Sequence, residues 1–169
     1  MKSNPQATVN VPDLLADLQL DRYLVDDLVF KCNKMGVTKN TKLATPTIGI
    51  DFDVKDHAKD KNRFLLDMVI DLNEGQELEK FETHQIHLHI LGWFHFTAEL
   101  DANTRAKMLA TNASSMLYGV ARTIVANLTG SLGAERYILP TLNLLAVIKA
   151  KMDSRQELAK APVAVITKR

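Results

Sequence analysis

Four of the protein's five histidines fall between His84 and His95. Imidazole is the side chain best suited to bind a transition metal or to change charge near neutral pH, so this cluster is where chemistry should be sought first. In QIHLHILGWFHF the odd positions His87, His89 and His95 share one face of an extended chain, with His87 and His89 about 7 Å apart along the backbone. Zinc can bridge such a pair. The sequence fixes no third ligand, however: Cys32 belongs to another segment, and no glutamate stands at a metal-hydrolase spacing. Three readings stay open for this face: a metal site on His87 and His89, a pH-sensitive interface that includes Trp93 on the same side, and plain surface. The expectation adopted is no resident metal and no cofactor.

Carboxylates are the second chemical feature. Asp51 and Asp53 alternate with Ile48, Ile50, Phe52 and Val54, and Asp67 and Asp71 alternate with Phe64, Leu66, Met68, Ile70 and Leu72. Paired acids perform general acid–base chemistry when they converge in a cleft, but these point outward from a sheet. Ser114 and Ser115 lie in a helical pattern, where an acyl-transfer serine lacks an oxyanion hole. With only seven glycines there is no nucleophile elbow and no phosphate-cradling loop. An enzyme is not expected.

The elements that carry these residues follow from periodicity. A strand begins near Leu18 in LQLDRY, and its alternation slips before Leu24 and resumes at Leu28 and Phe30, the mark of a bulge or a bend. Residues 33–46 form a loop with more apolar character than a solvent-exposed connection needs, at Met35, Val37 and Leu43. Three strands of period two follow, joined by short polar connections that make antiparallel neighbours. After Asp101 the period becomes helical, with Leu109, Leu117, Val120, Ala121, Ile124, Val125 and Leu128 in a stripe. Asp101 or Asn103 caps its start, and Gly130 or Gly133 ends it. Small side chains crowd the middle, and two readings stay open for them: tight packing on the sheet, or contact with a second subunit through Ala113, Met116, Gly119 and Thr123. An extended apolar passage broken by Pro140 leads to a shorter helix from Leu144. The expected class is α+β: a four-stranded antiparallel sheet with a long and a shorter helix on one face. An arm over residues 1–17, a domain over 18–155 and a tail over 156–169 complete the organisation.

Composition narrows the function. At 169 residues, with 46% hydrophobic and 24% charged positions, the chain suits one ordinary domain. Lys and Arg number 21 against 20 acids, a net charge of +1, so no field favours nucleic acid. The lone Cys32 fits a reducing cytoplasm, no apolar run suits a membrane span, and the polar start MKSNPQATVN has no secretion signal's apolar stretch.

Four strands, a long helix, a Pro-bearing passage and a second helix are the element order of the SecB export chaperones. SSMLYGVARTIVANLTGSLGAERYILPTLNL resembles that family most closely, through Tyr118, Ala121, Arg122, Pro140 and Asn143. Gly92, Trp93 and Phe94 look like the Gly-x-Phe that ends its fourth strand, and LQLDRYLVDDLVF is similar to its first. The resemblance spans Leu18 to Lys149. It implies a homotetramer, a dimer of dimers, without catalysis, that holds unfolded or nascent polypeptide in apolar grooves. Met35, Val37, Leu43, Tyr137, Leu139, Leu142 and Leu144 are the residues expected along such a groove, because a surface for varied clients needs adaptable apolar side chains. The alternative for each is an ordinary core or loop-anchoring role.

The sequence departs from the family where export members carry acids for their SecA motor. Asp27 keeps one acid, but Lys31 and His87 stand where others are expected. Asp51, Asp53, Asp67 and Asp71, with Asp27 and Trp93, leave a possible docking face for a basic partner, unless Lys55 and Arg63 neutralise it across the strands. The family's Pro-Asn pair before the mid-helix aromatic is replaced by residues 113–115. These differences point to a divergent member, such as the branch of SecB-like chaperones that protects one antitoxin or another dedicated client, or equally a phage- or plasmid-borne member. An oligomeric adaptor, or a metal-binding protein built on the His87 and His89 face, is the alternative of another class.

Overall fold

A computed structural model of the chain describes residues 16–31, 46–75, 84–131 and 136–151. The expectations for the arm over residues 1–15, for Cys32, Met35, Val37 and Leu43, and for the tail lie outside the described residues. The chain divides after Ala121 into two units, taken in turn.

The first unit is built on β1 (Leu18–Lys31), β2 (Ile48–Asp56), β3 (Arg63–Leu72) and β4 (Gln85–Phe96), in the order β1-β4-β3-β2 with every pair antiparallel. The period-two patterns fall as expected. Phe64, Leu66, Met68, Ile70 and Leu72 of β3 and Ile86, Leu88, Ile90, Phe94 and Phe96 of β4 are all buried on the inner face. Burying each such side chain is worth roughly 1.5–3 kcal/mol, so these two central strands carry most of the sheet's stability. Phe64 stacks on Phe94 with centroids 5.3 Å apart and planes 4° from parallel.

The slip expected in β1 is two slips. Leu20 pairs with Phe94 and Arg22 with Trp93, and Val25 pairs with Ile90 and Asp27 with His89, so Asp21 and Asp26 are extra residues in the ladder. At each bulge two consecutive β1 residues, Asp21 with Arg22 and Asp26 with Asp27, turn to the outer face.

Asn73 closes the other end of the sheet. It sits at φ 53°, a conformation that asparagine tolerates better than most residues, and is 1% exposed. Its Oδ1 accepts from the Thr47 amide at 2.9 Å, its Nδ2 donates to the His84 carbonyl at 3.1 Å, and its carbonyl accepts from Gln85 Nε2 at 2.8 Å. One side chain thus ties the ends of β2, β3 and β4.

The long helix comprises α1 (Ala102–Met108), a π-helical turn (Leu109–Ala113) and α2 (Ser114–Ser131), 30 residues together. Asp101 caps it, accepting from the amides of Asn103 and Thr104 at 3.0 Å each. The π turn was not legible in the periodicity. It includes Thr111 and Asn112, poor helix formers, and is followed by Ser114; the Thr111 hydroxyl donates back to the Lys107 carbonyl at 2.8 Å. Such a turn shifts the helix phase between Leu109, which is half-buried, and Leu117, which is fully buried; within α2 Ala121 and Val125 are fully buried with Leu117, while Val120, Ile124 and Leu128 on the flank of that stripe are half-buried. Leu117 meets the sheet at Gly92, where an added Cβ would lie 2.9 Å from Leu117 Cδ1.

In the second unit α2 continues from Arg122, an extended passage follows over 136–143, and helix α3 occupies 144–151. Arg122 Nε donates to the Leu139 carbonyl at 2.9 Å, and the Thr129 hydroxyl accepts from the Tyr137 amide at 2.9 Å. Asn143 Oδ1 accepts from the Ala146 amide at 3.2 Å, a cap that starts α3. The motif positions Arg122 and Asn143 are therefore structural anchors of this passage.

Candidate functional site

Each face of the sheet presents a separate candidate. On the inner face, the apolar side chains of the two edge strands are less covered than those of β3 and β4. From β1, Tyr23 is 50% exposed and Val25, Leu28 and Phe30 are half-buried; from β2, Val54 is exposed and Ile48, Ile50 and Phe52 are half-buried. A monomeric domain tends to bury such residues or pair them with a partner.

The outer face is a ladder of aspartate–histidine pairs. His87 Nδ1 lies 2.5 Å from Asp71 Oδ1, and its Nε2 lies 3.9 Å from Asp27. His89 is held on both nitrogens, by Asp67 at 2.7 Å and Asp26 at 3.0 Å. His95 Nδ1 meets Asp21 at 2.6 Å. The acids of β1 that reach His89 and His95 are those turned outward at the two bulges, so the ladder depends on them. The hydrogen bond that the His87 imidazole donates to Asp71 holds it above its ordinary pKa against the opposing effect of burial, aided by the charges of Asp71, Asp27 and Glu74. Burial works to raise the Asp67 carboxyl, but hydrogen bonds from Lys55 and His89 outweigh it and hold the group below the usual carboxylate range. Lys55 is raised in turn by its hydrogen bond to Asp67 at 2.8 Å. Trp93 is covered by the Arg22 guanidinium, 4.5 Å from the ring centroid, beside a cleft of about 620 Å³.

The residues singled out in the sequence are distributed as follows. Asp27, Asp51 and Asp53 are exposed on the outer face, and Asp67, Asp71 and Trp93 are half-buried there. The neutralisation anticipated from Lys55 occurs on Asp67, whereas Arg63 pairs with Asp60 at 3.4 Å. Tyr137 and Leu142 are half-buried, and Leu139 and Leu144 are buried. Ala113 is buried, and Met116, Gly119 and Thr123 are exposed. His87 and His89 are not brought into one ligand set among the described residues; each is engaged by its own carboxylates. The partners Asp21 and Asp26 were missed in the sequence. The only signal for them was the broken alternation of β1.

No protein-family model and no curated protein matches the sequence. Among solved structures the chain is similar to the Mycobacterium tuberculosis SecB-like chaperone Rv1957, solved in complex with a ChAD peptide from the HigA1 antitoxin. The TM-score is 0.51 at 17% identity, over 78% of this chain and 92% of that one. The fold is SecB-like: a four-stranded antiparallel sheet with a long and a shorter helix. No helix among the described residues is long and apolar enough to cross a membrane.

Proposed function

We propose that this protein is an ATP-independent, non-catalytic chaperone of the SecB-like type, which holds unfolded or partly folded polypeptide on apolar surface in the cytoplasm. The observation that carries the reading is the row of incompletely covered apolar side chains on β1 and β2, from Tyr23 to Phe30 and from Ile48 to Val54. Edge strands also offer backbone donors and acceptors, so a client can gain both burial and main-chain hydrogen bonds there. Met35, Val37 and Leu43 are further client-binding residues in the proposal. Within the second unit, Tyr137 and Leu142 are proposed to contact client, while Leu139 and Leu144 are buried and anchor the passage that bears them. Met116, Gly119 and Thr123 form a helix face for assembly into a tetramer.

A dedicated client is favoured over motor-coupled export. Asp67 and Asp71, acids that could attract a basic motor surface, are engaged by Lys55, His89 and His87, and the solved SecB-like neighbour holds a peptide from an antitoxin. An antitoxin-like segment is the client proposed.

The test is suppression of aggregation of a reduced, unfolded model protein, repeated with Tyr23→Ser and Val54→Ser. Both positions are solvent-exposed, so the domain should stay folded while capture weakens. Unchanged suppression by the double variant would overturn the assignment of the groove, and absence of suppression by the wild type would overturn the chaperone reading. Recovery of many unrelated secretory precursors together with SecA from the native host would overturn the dedicated-client reading.

A further inference from the structure

We infer that Asp71, Glu74 and His87 form a divalent metal site at the end of the outer face where β3 leaves the sheet. Each can offer one ligand atom such that all three lie within 4.8 Å of one another. The set mixes one imidazole nitrogen with two carboxylates, which suits zinc among the divalent ions. His87 Nδ1 already faces Asp71 at 2.5 Å. Its other nitrogen lies 3.9 Å from Asp27, beyond hydrogen-bond reach, so Asp27 adds negative charge beside the set without holding the ring.

The fold brings these residues together from separate elements. Asp71 and His87 are cross-strand partners in the β3–β4 ladder. Glu74 follows on the turn that Asn73 locks, between that residue at φ 53° and Gly75 at φ 69°. The turn borders a concavity of about 530 Å³ lined by Glu74, His87 and Lys31, with room for water to complete the coordination. Zinc bound at about 2.0–2.2 Å from each donor needs donors roughly 3.3–3.6 Å apart. The Asp71–His87 pair must therefore open by about 1 Å and Glu74 must close by a similar amount, within reach of side-chain rotation at an exposed turn residue. Three carboxylates, Asp27, Asp71 and Glu74, surround one imidazole, with Lys31 the cation on the same concavity. The three carboxylates supply negative charge that a divalent ion balances.

Isothermal titration of the full chain with zinc chloride near neutral pH tests this, with circular dichroism to verify folding of each variant. One zinc per chain is expected, weakened at least about tenfold in Glu74→Gln and in His87→Ala. His89→Ala, on the same face with its own carboxylates, should bind like the wild type. If His87→Ala fails to fold, Glu74→Gln at the exposed turn decides alone. Absence of binding by the wild type, full affinity in Glu74→Gln, or an equal loss in His89→Ala would each overturn the assignment.

Discussion

Replacing Gly92 with alanine adds a methyl group at the point where the long helix touches the sheet. The new Cβ would lie 2.8 Å from Phe94 Cε2 and 2.9 and 3.2 Å from the two terminal methyls of Leu117. Neither neighbour can yield cheaply, because Phe94 is stacked on Phe64 and 1% exposed, and Leu117 is fully buried. Overpacking of this kind costs about 1–3 kcal/mol, and the reduced freedom of the unfolded chain returns about 0.4–1 kcal/mol. The net expectation is a loss of about 1–2 kcal/mol, or about 3–6 °C in melting temperature for a chain of this size. Urea denaturation at fixed protein concentration measures it, the concentration being held constant because assembly contributes to apparent stability. A double-mutant cycle with Leu117→Ala tests the cause. Leu117→Ala alone should cost about 2–5 kcal/mol. The pair should cost less than the sum by about 1 kcal/mol, since the alanine methyl enters space that Leu117 vacates. A neutral or stabilising Gly92→Ala, or strict additivity in the cycle, would refute the proposed contact.

Three further outcomes are expected. Asp101→Ala, which removes the acceptor for the Asn103 and Thr104 amides, should lower the urea midpoint, and an unchanged midpoint would remove the cap as a contributor. Asp67 has its folded pKa below the ordinary carboxylate value, so its contribution is present above about pH 4 and lost as pH falls through the lower folded value. Asp67→Asn should accordingly flatten the acid limb of the stability profile, and an unchanged limb would remove Asp67 as a contributor. Arg122→Ala removes the donor to the Leu139 carbonyl, a bond worth about 1.5–3 kcal/mol when the donor is charged. Amide exchange at Tyr137 should accelerate by at least about tenfold, with Arg122→Lys restoring it only in part.

The strands, their inner and outer faces, the Asp101 cap and the break at Pro140 were legible because each is local. Alternation over Arg63–Leu72 and Gln85–Phe96 is fixed by the two-residue repeat of a strand, whatever the strand pairs with. The same local rules failed where one residue was added. The π turn at Leu109–Ala113 moved Leu109 out of phase with Leu117, and no hydrophobic spacing reports a hydrogen bond from a threonine hydroxyl to its own helix.

For the candidate sites the division is sharper. The sequence by itself determined that His87, His89 and His95 share a face with Trp93 and that the chain carries almost no net charge. It could not determine what those histidines meet, because their partners lie on other strands: Asp67 and Asp71 across the β3–β4 register, Asp21 and Asp26 from β1. Strand order put β1 beside β4, and two bulges turned Asp21 and Asp26 outward against the alternation. Those are consequences of pairing and register, which arise only when segments distant in sequence pack, so the tertiary structure alone made a row of histidines into a ladder of aspartate–histidine contacts.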